Sequence, residues 1–367
     1  MHKRHPWGVA LATGGTGGHL CPALAVAQAL RRRAPDLPIC LVATEDSREQ
    51  PLLATAEAPS VVRLPLPRPG ASLRSRVRLL RTSPRVFHAA QTELSRFARR
   101  GLVLGFGGYA TVPTVLAARS LNWDVILLEP NAVPGRANRA LFPFARRVLL
   151  GFPNTLSRIG AGVPTAVTGI PVREQIVRAA EMRRRLHWEH GQTTEIVGVL
   201  GGSQGAQALN SAVLKLRSCL NRTRLWVVHQ TGYLDWPRVR RAVDDDAGHL
   251  AAPFFVEMEQ IYCRARVLVL RAGASSIAEA AACGIPSVLV PYPAATDDHQ
   301  RENARHAAEA LGWSRIEEIP PGTIDTGELA EAILRALERP VGSRRPFGEL
   351  HSGAAETVAD LILRAAA

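Results

Sequence analysis

The feature that most constrains the fold of this chain is the alternation, from end to end, of short apolar runs with stretches of helix length. Val125–Leu128 and Val267–Leu270 are continuously apolar, as in strands covered on both faces. This alternation predicts an α/β protein of right-handed βαβ units and parallel sheets. Strands are predicted at Val9–Thr13, Ile39–Ala43, Leu102–Leu104, Asp124–Leu128, Val148–Gly151, Ile196–Leu200, Trp226–His229, Val267–Leu270 and Ser287–Val290, and helices at Pro22–Arg33, Thr111–Ser120, Ala206–Arg217, Ser276–Cys283 and Ala354–Ala367.

The same pattern starts afresh near residue 195, after the polar stretch Arg183–Glu195. A chain of 367 residues is long enough to form two domains, each with its own core. We therefore predict two Rossmann-like domains, 1–170 and 171–349, whose parallel sheets face a central cleft. A last helix within 350–367 is expected to pack back on the first domain.

Positive charge is concentrated in one part of the chain. The formal net charge is +13, and between Arg63 and Arg100 ten arginines stand against the single acid Glu93. This basic segment, Arg63–Arg100, also carries apolar residues at near-helical spacing. It fits either an element that lies on an anionic membrane surface or a solvated basic face whose apolar side packs inward. Nucleic acid is a weaker candidate, because zinc fingers, RNP-like motifs and aromatic-rich basic platforms are absent from the sequence.

Several other classes of protein are disfavoured. No run approaches the ~18 to 20 apolar residues of a membrane span, and the apolar stretch Trp7–Ala12 is cut short by glycines before it reaches the length of a signal peptide. The five cysteines are scattered without a C-x-x-C pair, which indicates neither a disulfide framework nor a zinc site. We expect a protein that stays in the cytoplasm.

Glycine-rich turns follow three of the predicted strands, at Thr13–His19, Gly105–Tyr109 and Gly201–Ala206. Glycine lets a phosphate approach the backbone, and the helix that follows such a turn offers free N–H donors. A P-loop signature is absent. The second turn fits the relaxed dinucleotide pattern Gly105-x-Gly107-x-x-Ala110, with Glu129 roughly 20 residues further on. A nicotinamide-dependent dehydrogenase is therefore an open alternative at this stage.

A fourth cluster, Arg271–Glu279, follows the strand Val267–Leu270. Ser276 and Glu279 fit an S-x-x-E capping box. Alternatively, the helix N-terminus points at a diphosphate and Glu279 accepts hydrogen bonds from ribose hydroxyls. The polar residues of Asp297–Asn303 follow the next strand, and the carboxyl ends of parallel strands are where ligands bind in open α/β sheets.

These motifs, taken together and in this order, resemble the MurG family of N-acetylglucosaminyltransferases. The resemblance runs over nearly the whole chain. The motifs are Thr13–His19; Gly105–Tyr109; Glu129-Pro-Asn131 with Pro134-Gly135 and Asn138; Gly169–Arg173; Gly201–Ala206 with Asn210; and Arg271–Glu279 with Gln300 and Asn303.

The resemblance implies a GT-B fold and an inverting transfer of N-acetylglucosamine from UDP-GlcNAc to undecaprenyl-diphosphate-MurNAc-pentapeptide (lipid I), which gives lipid II in peptidoglycan synthesis. It implies no cofactor and no essential metal. It also implies peripheral attachment to the cytoplasmic face of the inner membrane, with the basic segment as the matching element. Another GT-B transferase with a different nucleotide sugar or lipid acceptor is the alternative within the fold.

Residue roles carried over from the family fall into three groups. His19 is the candidate general base, with binding of the acceptor diphosphate or helix capping as its alternatives, and Glu129 is a weaker catalytic candidate. Gly107, Gly108 and Tyr109 are expected at the acceptor. The donor site is expected to use Thr16, Gly17, Gly18, Asn131, Arg173, Ser203, Phe255, Ala274, Ser275, Ser276, Glu279, Gln300 and Asn303.

Two departures from the family pattern stand out. Leu128 and Pro130 replace a histidine and a glutamine beside Glu129 and Asn131, so no catalytic role carries over to those two positions. The segment Leu64–Gly70 replaces a glycine- and lysine-containing one, and we expect acceptor or membrane contacts there to differ.

Overall fold

The computed structural model describes residues 5–14, 17–44, 59–66, 73–160, 162–185, 195–202, 205–221, 225–340 and 346–366, without the side chains of 73–81, 184, 185, 218, 219 and 221. Two compact units divide it. The first comprises Met1–Arg173 with Gly353–Ala367, and the second comprises Glu174–Ser352.

The first unit is built on a parallel sheet. Its strands are β1 (His5–Ala12), β2 (Ile39–Thr44), β3 (Ser60–Leu64), β4 (Ala98–Gly105), β5 (Asp124–Glu129), β6 (Arg147–Leu150) and β7 (Thr165–Val167), in the order β3-β2-β1-β4-β5-β6-β7. Its helices are α1 (Gly17–Arg33), α2 (Leu73–Phe97), α3 (Thr111–Ser120), α4 (Arg136–Leu141) and, at the C-terminal end, α13 (Ala354–Ala366). Short 3₁₀ turns lie at Phe142–Phe144 and Pro153–Arg158.

The second unit repeats this plan. Its strands are β8 (Ile196–Leu200), β9 (Trp226–Gln230), β10 (His249–Ala252), β11 (Ala265–Arg271), β12 (Ser287–Val290) and β13 (Ser314–Arg315), in the order β10-β9-β8-β11-β12-β13. Its helices are α5 (Glu174–Arg185), α6 (Gln207–Asn221), α7 (Trp236–Val243), α8 (Met258–Arg264), α9 (Ala274–Ala282), α10 (His299–Leu311), α11 (Thr326–Leu337) and α12 (Pro346–Ser352), with a 3₁₀ turn at Thr296–Asp298.

Each unit has its own hydrophobic core, formed where the central strands meet the helices. In the first unit Val103 and Leu127 on β4 and β5 are fully buried, and in the second Val199 and Val269 on β8 and β11 are. Continuous apolar runs therefore mark strands covered on both faces, as predicted. The register Leu11↔Leu104 between β1 and β4 brings the turns after these two strands side by side.

The C-terminal helix belongs to the first unit, where α13 packs on α1. Arg32 of α1 pairs with Glu356, and Arg33 pairs with Asp360 and lies 3.8 Å from Glu356. These side chains are all about 40 % exposed, so the pairs contribute little to stability. Apolar residues such as Val358 and Ile362, both fully buried, supply most of the packing.

The strands missing from the sequence prediction are β3, β7, β10 and β13, the edge strands of the two sheets. The burial of β3 and β7 is incomplete, so neither has the continuous apolar run by which a central strand is found. Helix α1 begins at Gly17, not at Pro22 as predicted, and Pro22 lies inside it. As a consequence His19 lies in the first turn of α1.

The described part of the basic segment has its apolar side turned inward. Val86, Ala90 and Leu94 of α2 lie in the core, while Arg85 and Arg96 are exposed. From residue 82 onward the segment is thus a solvated basic face over a buried apolar side. The side chains of 73–81 and residues 67–72 lie outside the described residues. Among the helices that the structure describes, none combines the length and hydropathy needed to cross a membrane.

Candidate active site

Two glycine turns meet at the carboxyl ends of β1 and β4. A Cβ built on Gly108 would lie 2.6 Å from the Cα of Gly14, and one built on Gly14 would lie 2.9 Å from the Cα of Gly108. Gly108 also has φ +82°, a conformation that L side chains rarely adopt. The two turns can therefore approach only because both residues are glycine.

His19 lies against this pair of turns. A Cβ on Gly14 would lie 2.9 Å from His19 Nδ1, and a Cβ on Gly107 would lie 3.4 Å from His19 Nε2. The imidazole is half-buried, so its ring is packed on backbone while part of it reaches solvent. The glycines of the first and second turns thus form a close-fitting seat for this ring.

Gly107 connects His19 with a second polar group. Its φ is +89°, and a Cβ at this position would lie 3.3 Å from Asn138 Nδ2. Asn138, on α4, is 1 % exposed, and its Nδ2 donates to Leu128 O at 3.1 Å and to Glu129 Oε2 at 2.9 Å. The Oδ1 atom of Asn138 is buried without a hydrogen-bond partner.

Glu129 is buried at the end of β5 and accepts hydrogen bonds from its own loop. Its Oε1 accepts from Asn131 N at 2.9 Å and Asn131 Nδ2 at 3.2 Å, and its Oε2 accepts from Gly135 N at 2.9 Å in addition to Asn138. Burial raises the pKa of Glu129 above its usual range, and the four N–H donors oppose that rise. The carboxylate therefore organises the loop from Asn131 to Asn138.

This arrangement bears on the dehydrogenase alternative. That hypothesis needs the acid after the second turn to reach a ribose hydroxyl. In the structure both oxygens of Glu129 are engaged by residues of the same loop. Asn131, predicted at the donor sugar, is tied to Glu129, and its carbonyl accepts from Thr155 Oγ1 at 3.1 Å.

The other predicted residues of the first unit have varied environments. Gly17 and Gly18 are the first residues of α1, and Gly18 is exposed. Tyr109 packs against the core, with its hydroxyl 3.4 Å from Thr44 Oγ1. Arg173, the last residue before α5, is buried. Thr16 of the first turn and Ser203 of the third lie outside the described residues.

In the second unit, the helix that follows β11 has an N-terminus without a side-chain cap. Gly273 is the N-cap residue, with φ −69° and ψ 135°, and no side chain caps α9. The capping box predicted from Ser276 and Glu279 is wrong, because α9 begins three residues after β11 ends and Ser276 lies inside its first turn. The N-terminal turn of α9, which begins at Ala274, is therefore of the kind whose backbone N–H groups bind an anion.

Glu279 lies on the next turn of α9, whose sequence otherwise consists of alanine, serine and isoleucine. It is 7 % exposed, and its Oε2 accepts a hydrogen bond of 3.0 Å from the hydroxyl of Tyr262 on α8. A buried carboxylate is costly without such partners. Tyr262 was not among the predicted residues, because nothing in the sequence around it distinguishes it from an ordinary tyrosine of the hydrophobic core.

Polar side chains hold the loops at the carboxyl ends of the strands of the second sheet. Gln300 Oε1 accepts from Tyr292 N at 2.9 Å, just after β12. Asn303, fully buried, donates from Nδ2 to Ala272 O at 3.2 Å, just after β11. Phe255 N donates to the side chain of Gln230, the last residue of β9, at 3.3 Å. These predicted donor-site residues therefore surround one end of the sheet.

The third glycine turn rests on a buried polar network. A Cβ on Gly205, whose φ is +78°, would lie 2.4 Å from Thr231 O. Asn210 Nδ2 donates to that same carbonyl at 3.0 Å and to Asp235 Oδ2 at 2.8 Å. Its Oδ1 must then accept, so His229 Nε2, at 2.9 Å, is the donor. His229 thus supports the turn through Asn210.

Two buried histidines complete this network. His229 Nδ1 lies 3.3 Å from His249 Nε2. Burial, and after it the neighbouring His249, lower the pKa of His229 to about 3, while burial lowers the pKa of His249 to about 4. Both rings are neutral at physiological pH. The family motif had already singled out Asn210, whereas the sequence signal for His229 was its place at the end of an apolar strand.

Comparisons with known proteins agree with the motifs. Models of the glycosyltransferase family 28 N-terminal domain and C-terminal domain match residues 9–150 and 196–340. The chain is 35% identical, over 346 residues, to the UDP-N-acetylglucosamine--N-acetylmuramyl-(pentapeptide) pyrophosphoryl-undecaprenol N-acetylglucosamine transferase of Desulfotalea psychrophila, covering 93% of this chain and 91% of the relative. The chain belongs to the MurG family.

Other relatives extend the comparison to structure. A protein of the same name from Xanthomonas euvesicatoria is 34% identical, covering 98% of this chain and 81% of the relative. The crystal structure of MurG from Acinetobacter baumannii has 26% identity and a TM-score of 0.66, covering 98% of this chain and 99% of that one. The fold is therefore GT-B, and membership in the MurG family decides against the dehydrogenase.

Proposed function

We propose that this chain transfers N-acetylglucosamine from UDP-GlcNAc to lipid I and so forms lipid II for peptidoglycan synthesis. The observation that carries the proposal is the identity of 35% over nearly the full length of a relative named for this reaction. The segment Leu64–Gly70, where acceptor contacts are expected to differ from the family, is the feature that would favour the alternative, another GT-B transferase with a different acceptor.

The donor is expected to bind at the carboxyl end of the second sheet. The uncapped first turn of α9 would receive the diphosphate, where backbone N–H groups stabilise the charge of the leaving UDP. Glu279 would accept hydrogen bonds from the ribose hydroxyls. Gln300 and Asn303, which hold the adjacent loops, would contact the sugar or shape its pocket.

The acceptor chemistry is assigned to the glycine turns of the first unit. His19 would take the proton from the acceptor hydroxyl as the oxygen of that hydroxyl forms a bond to C1 of the sugar. The bond from C1 to the diphosphate oxygen breaks at the same time, and its electron pair leaves with UDP. Imidazole titrates near neutral pH and suits this role. Glu129 is expected to hold the loop beside His19 rather than to contact the reacting atoms.

Transfer of radiolabelled GlcNAc from UDP-GlcNAc to a short-chain lipid I analogue, with and without EDTA, tests the function. We expect labelled product at the same rate in both conditions, and lower rates with UDP-glucose or UDP-galactose as donor. Protein that binds UDP-GlcNAc but transfers nothing to the analogue would contradict the proposed acceptor. Loss of transfer in EDTA would contradict the metal-free mechanism.

We also propose that the enzyme acts as a peripheral protein on the cytoplasmic face of the inner membrane, where a polyprenyl acceptor resides. The exposed arginines of α2, among them Arg85 and Arg96, support attraction to anionic lipid. The double change Arg85→Glu and Arg96→Glu should weaken co-sedimentation with phosphatidylglycerol vesicles. The double change Arg240→Glu and Arg335→Glu on the second unit, where both arginines are exposed, is the control matched in net charge. Equal binding to neutral vesicles would contradict this attachment.

A further inference from the structure

A buried hydroxyl fixes the carboxylate to which the proposed function assigns ribose. Tyr262 on α8 is 1 % exposed, whereas Glu279 on α9 is 7 % exposed. The phenolic hydroxyl donates to Glu279 Oε2 at 3.0 Å. The tyrosine lies deeper than the glutamate, so a ligand that reaches the pair from solvent meets Glu279 and not Tyr262.

The hydrogen bond restricts Glu279 at its most mobile torsion. The last torsion of a glutamate side chain is broad and nearly two-fold, so an unrestrained carboxylate samples many orientations. A donor at Oε2 selects one of them and thereby orients both oxygens. A ribose with two adjacent hydroxyls needs acceptors in one geometry, and an acceptor that is already oriented loses less entropy when it binds.

The backbone of Tyr262 is itself held in place by a buried arginine. Arg183 on α5, 1 % exposed, donates from Nη1 to Tyr262 O at 3.2 Å and to Cys263 O at 3.0 Å. These carbonyls lie in the last turn of α8, where a cation stabilises the helix end. Burial lowers the pKa of Arg183 to about 10, which still leaves it charged at neutral pH. Contacts thus run from α5 through α8 to the carboxylate on α9.

We propose that Tyr262 is a positioning residue for nucleotide recognition, which orients the Glu279 carboxylate toward the ribose hydroxyls of the donor. This inference rests on the proposed function, since it requires a nucleotide at α9. It assigns to Tyr262 no contact with the substrate. Its effect appears in affinity for the ribose and not in the rate of the chemical step.

The variant Tyr262→Phe removes one oxygen and keeps the ring that fills the core. We expect KM for UDP-GlcNAc to rise about five- to tenfold with kcat within about twofold, the range of one ordinary hydrogen bond. The matched control is Tyr233→Phe in the same unit, where the ring is 58% exposed. The control should leave KM unchanged. Thermal unfolding of each variant verifies that it is folded.

Two further measurements separate positioning from a structural role. Calorimetry with UDP and with 2′-deoxy-UDP should show wild type preferring UDP and Tyr262→Phe losing most of that preference. In a Glu279→Ala background, where the acceptor of the Tyr262 hydroxyl is gone, Tyr262→Phe should add little to the loss of affinity, because the two side chains act as one unit.

The outcomes distinguish this proposal from the proposed function. Wild type that binds neither nucleotide would overturn the function and the inference together. Wild type that prefers UDP, with the same preference in Tyr262→Phe, would overturn only the role of Tyr262. Wild type that binds both nucleotides equally would remove ribose recognition from Glu279 and overturn the inference, while leaving the transferase intact. Additive losses in the double variant would also overturn it.

Discussion

The candidate site of the first unit depends on contacts between backbone atoms, whereas that of the second depends on side-chain hydrogen bonds. In the first unit, backbone approaches backbone at Gly14 and Gly108, and His19 packs on the surface that results. In the second, side chains such as Gln300 and Asn303 hold the loops at the strand ends through hydrogen bonds. Where two glycines are in contact, even one added Cβ causes a clash. Where side-chain hydrogen bonds hold the loops, each substitution removes a single bond. We therefore expect a single substitution to abolish most of the activity at the glycine turns of the first unit, and to cause only a partial loss at the strand ends of the second.

The largest effect is expected from Gly108→Ala. The new Cβ would lie 2.6 Å from the Cα of Gly14, at a φ of +82°, so the two turns must separate. We expect transfer to fall about 100-fold or more and the free energy of unfolding to fall by about 2 to 3 kcal/mol. Steady-state transfer and urea unfolding measure the two.

Gly160→Ala is the matched control for that change. Nothing lies within 4 Å of a Cβ at Gly160, so activity and stability should both stay near wild type. If the Gly108→Ala variant transferred at the wild-type rate, the position of His19 would not depend on the contact between the two turns. The first unit would then be no more sensitive to a single substitution than the second.

The buried ionisable groups give the units opposite responses to pH. Burial lowers the pKa of His229 and of His351 to about 3 in the second unit. The unfolded chain then binds more protons below pH 6.5, so stability is complete above that pH and falls as the pH is lowered. Glu129 in the first unit has a raised pKa, so its contribution falls as the pH rises above its ordinary value.

This contrast predicts that acid destabilises the second unit more than the first. From about pH 6.5 to about pH 5 three buried histidines of this unit, His229, His249 and His351, should lower its free energy of unfolding by about 5 kcal/mol. Hydrogen exchange resolved by mass spectrometry distinguishes peptides of β8–β12 from those of β1–β6. His351→Phe should reduce the pH dependence by about a third. If acid increased hydrogen exchange equally in both units, the proposed difference in their response to pH would be contradicted.

The smallest of these effects is expected from Asn303→Ala. Removing the amide takes away the donor to Ala272 O, just before the helix that would hold the diphosphate. We expect affinity for UDP to fall about tenfold. Asn154→Ala, exposed in the first unit, is the control and should bind UDP as wild type does. Unchanged binding of UDP with weaker binding of UDP-GlcNAc would show that Asn303 acts through the sugar and not through the loop.

The central strands could be predicted from sequence because burial on both faces imposes a continuous apolar run, as at Ile196–Leu200. The edge strands Ser60–Leu64 and Ser314–Arg315 escaped, because one side of each lacks a neighbouring strand and its sequence is mixed. Motif resemblance located the candidate site, since glycine turns leave a clear trace in sequence.

Contacts that depend on the tertiary fold could not be predicted in the same way. The hydrogen bond between Tyr262 and Glu279 joins helices α8 and α9. The capping interpretation of Ser276 failed because α9 already begins at Ala274, with Gly273 as its N-cap. The seat of His19 also needed the structure, since it depends on Gly14 and Gly108, 94 residues apart in the numbering. A spacing pattern within one segment contains no information about such partners.

The central claim is that the chemical step belongs to the first unit and nucleotide affinity to the second. Its most direct test is single-turnover transfer from saturating UDP-GlcNAc to the lipid I analogue by His19→Ala, with UDP affinity measured on the same sample. The account predicts a rate about 100-fold or more below wild type and UDP affinity within about twofold. A near-normal rate, or a loss explained by weaker UDP binding, would contradict it.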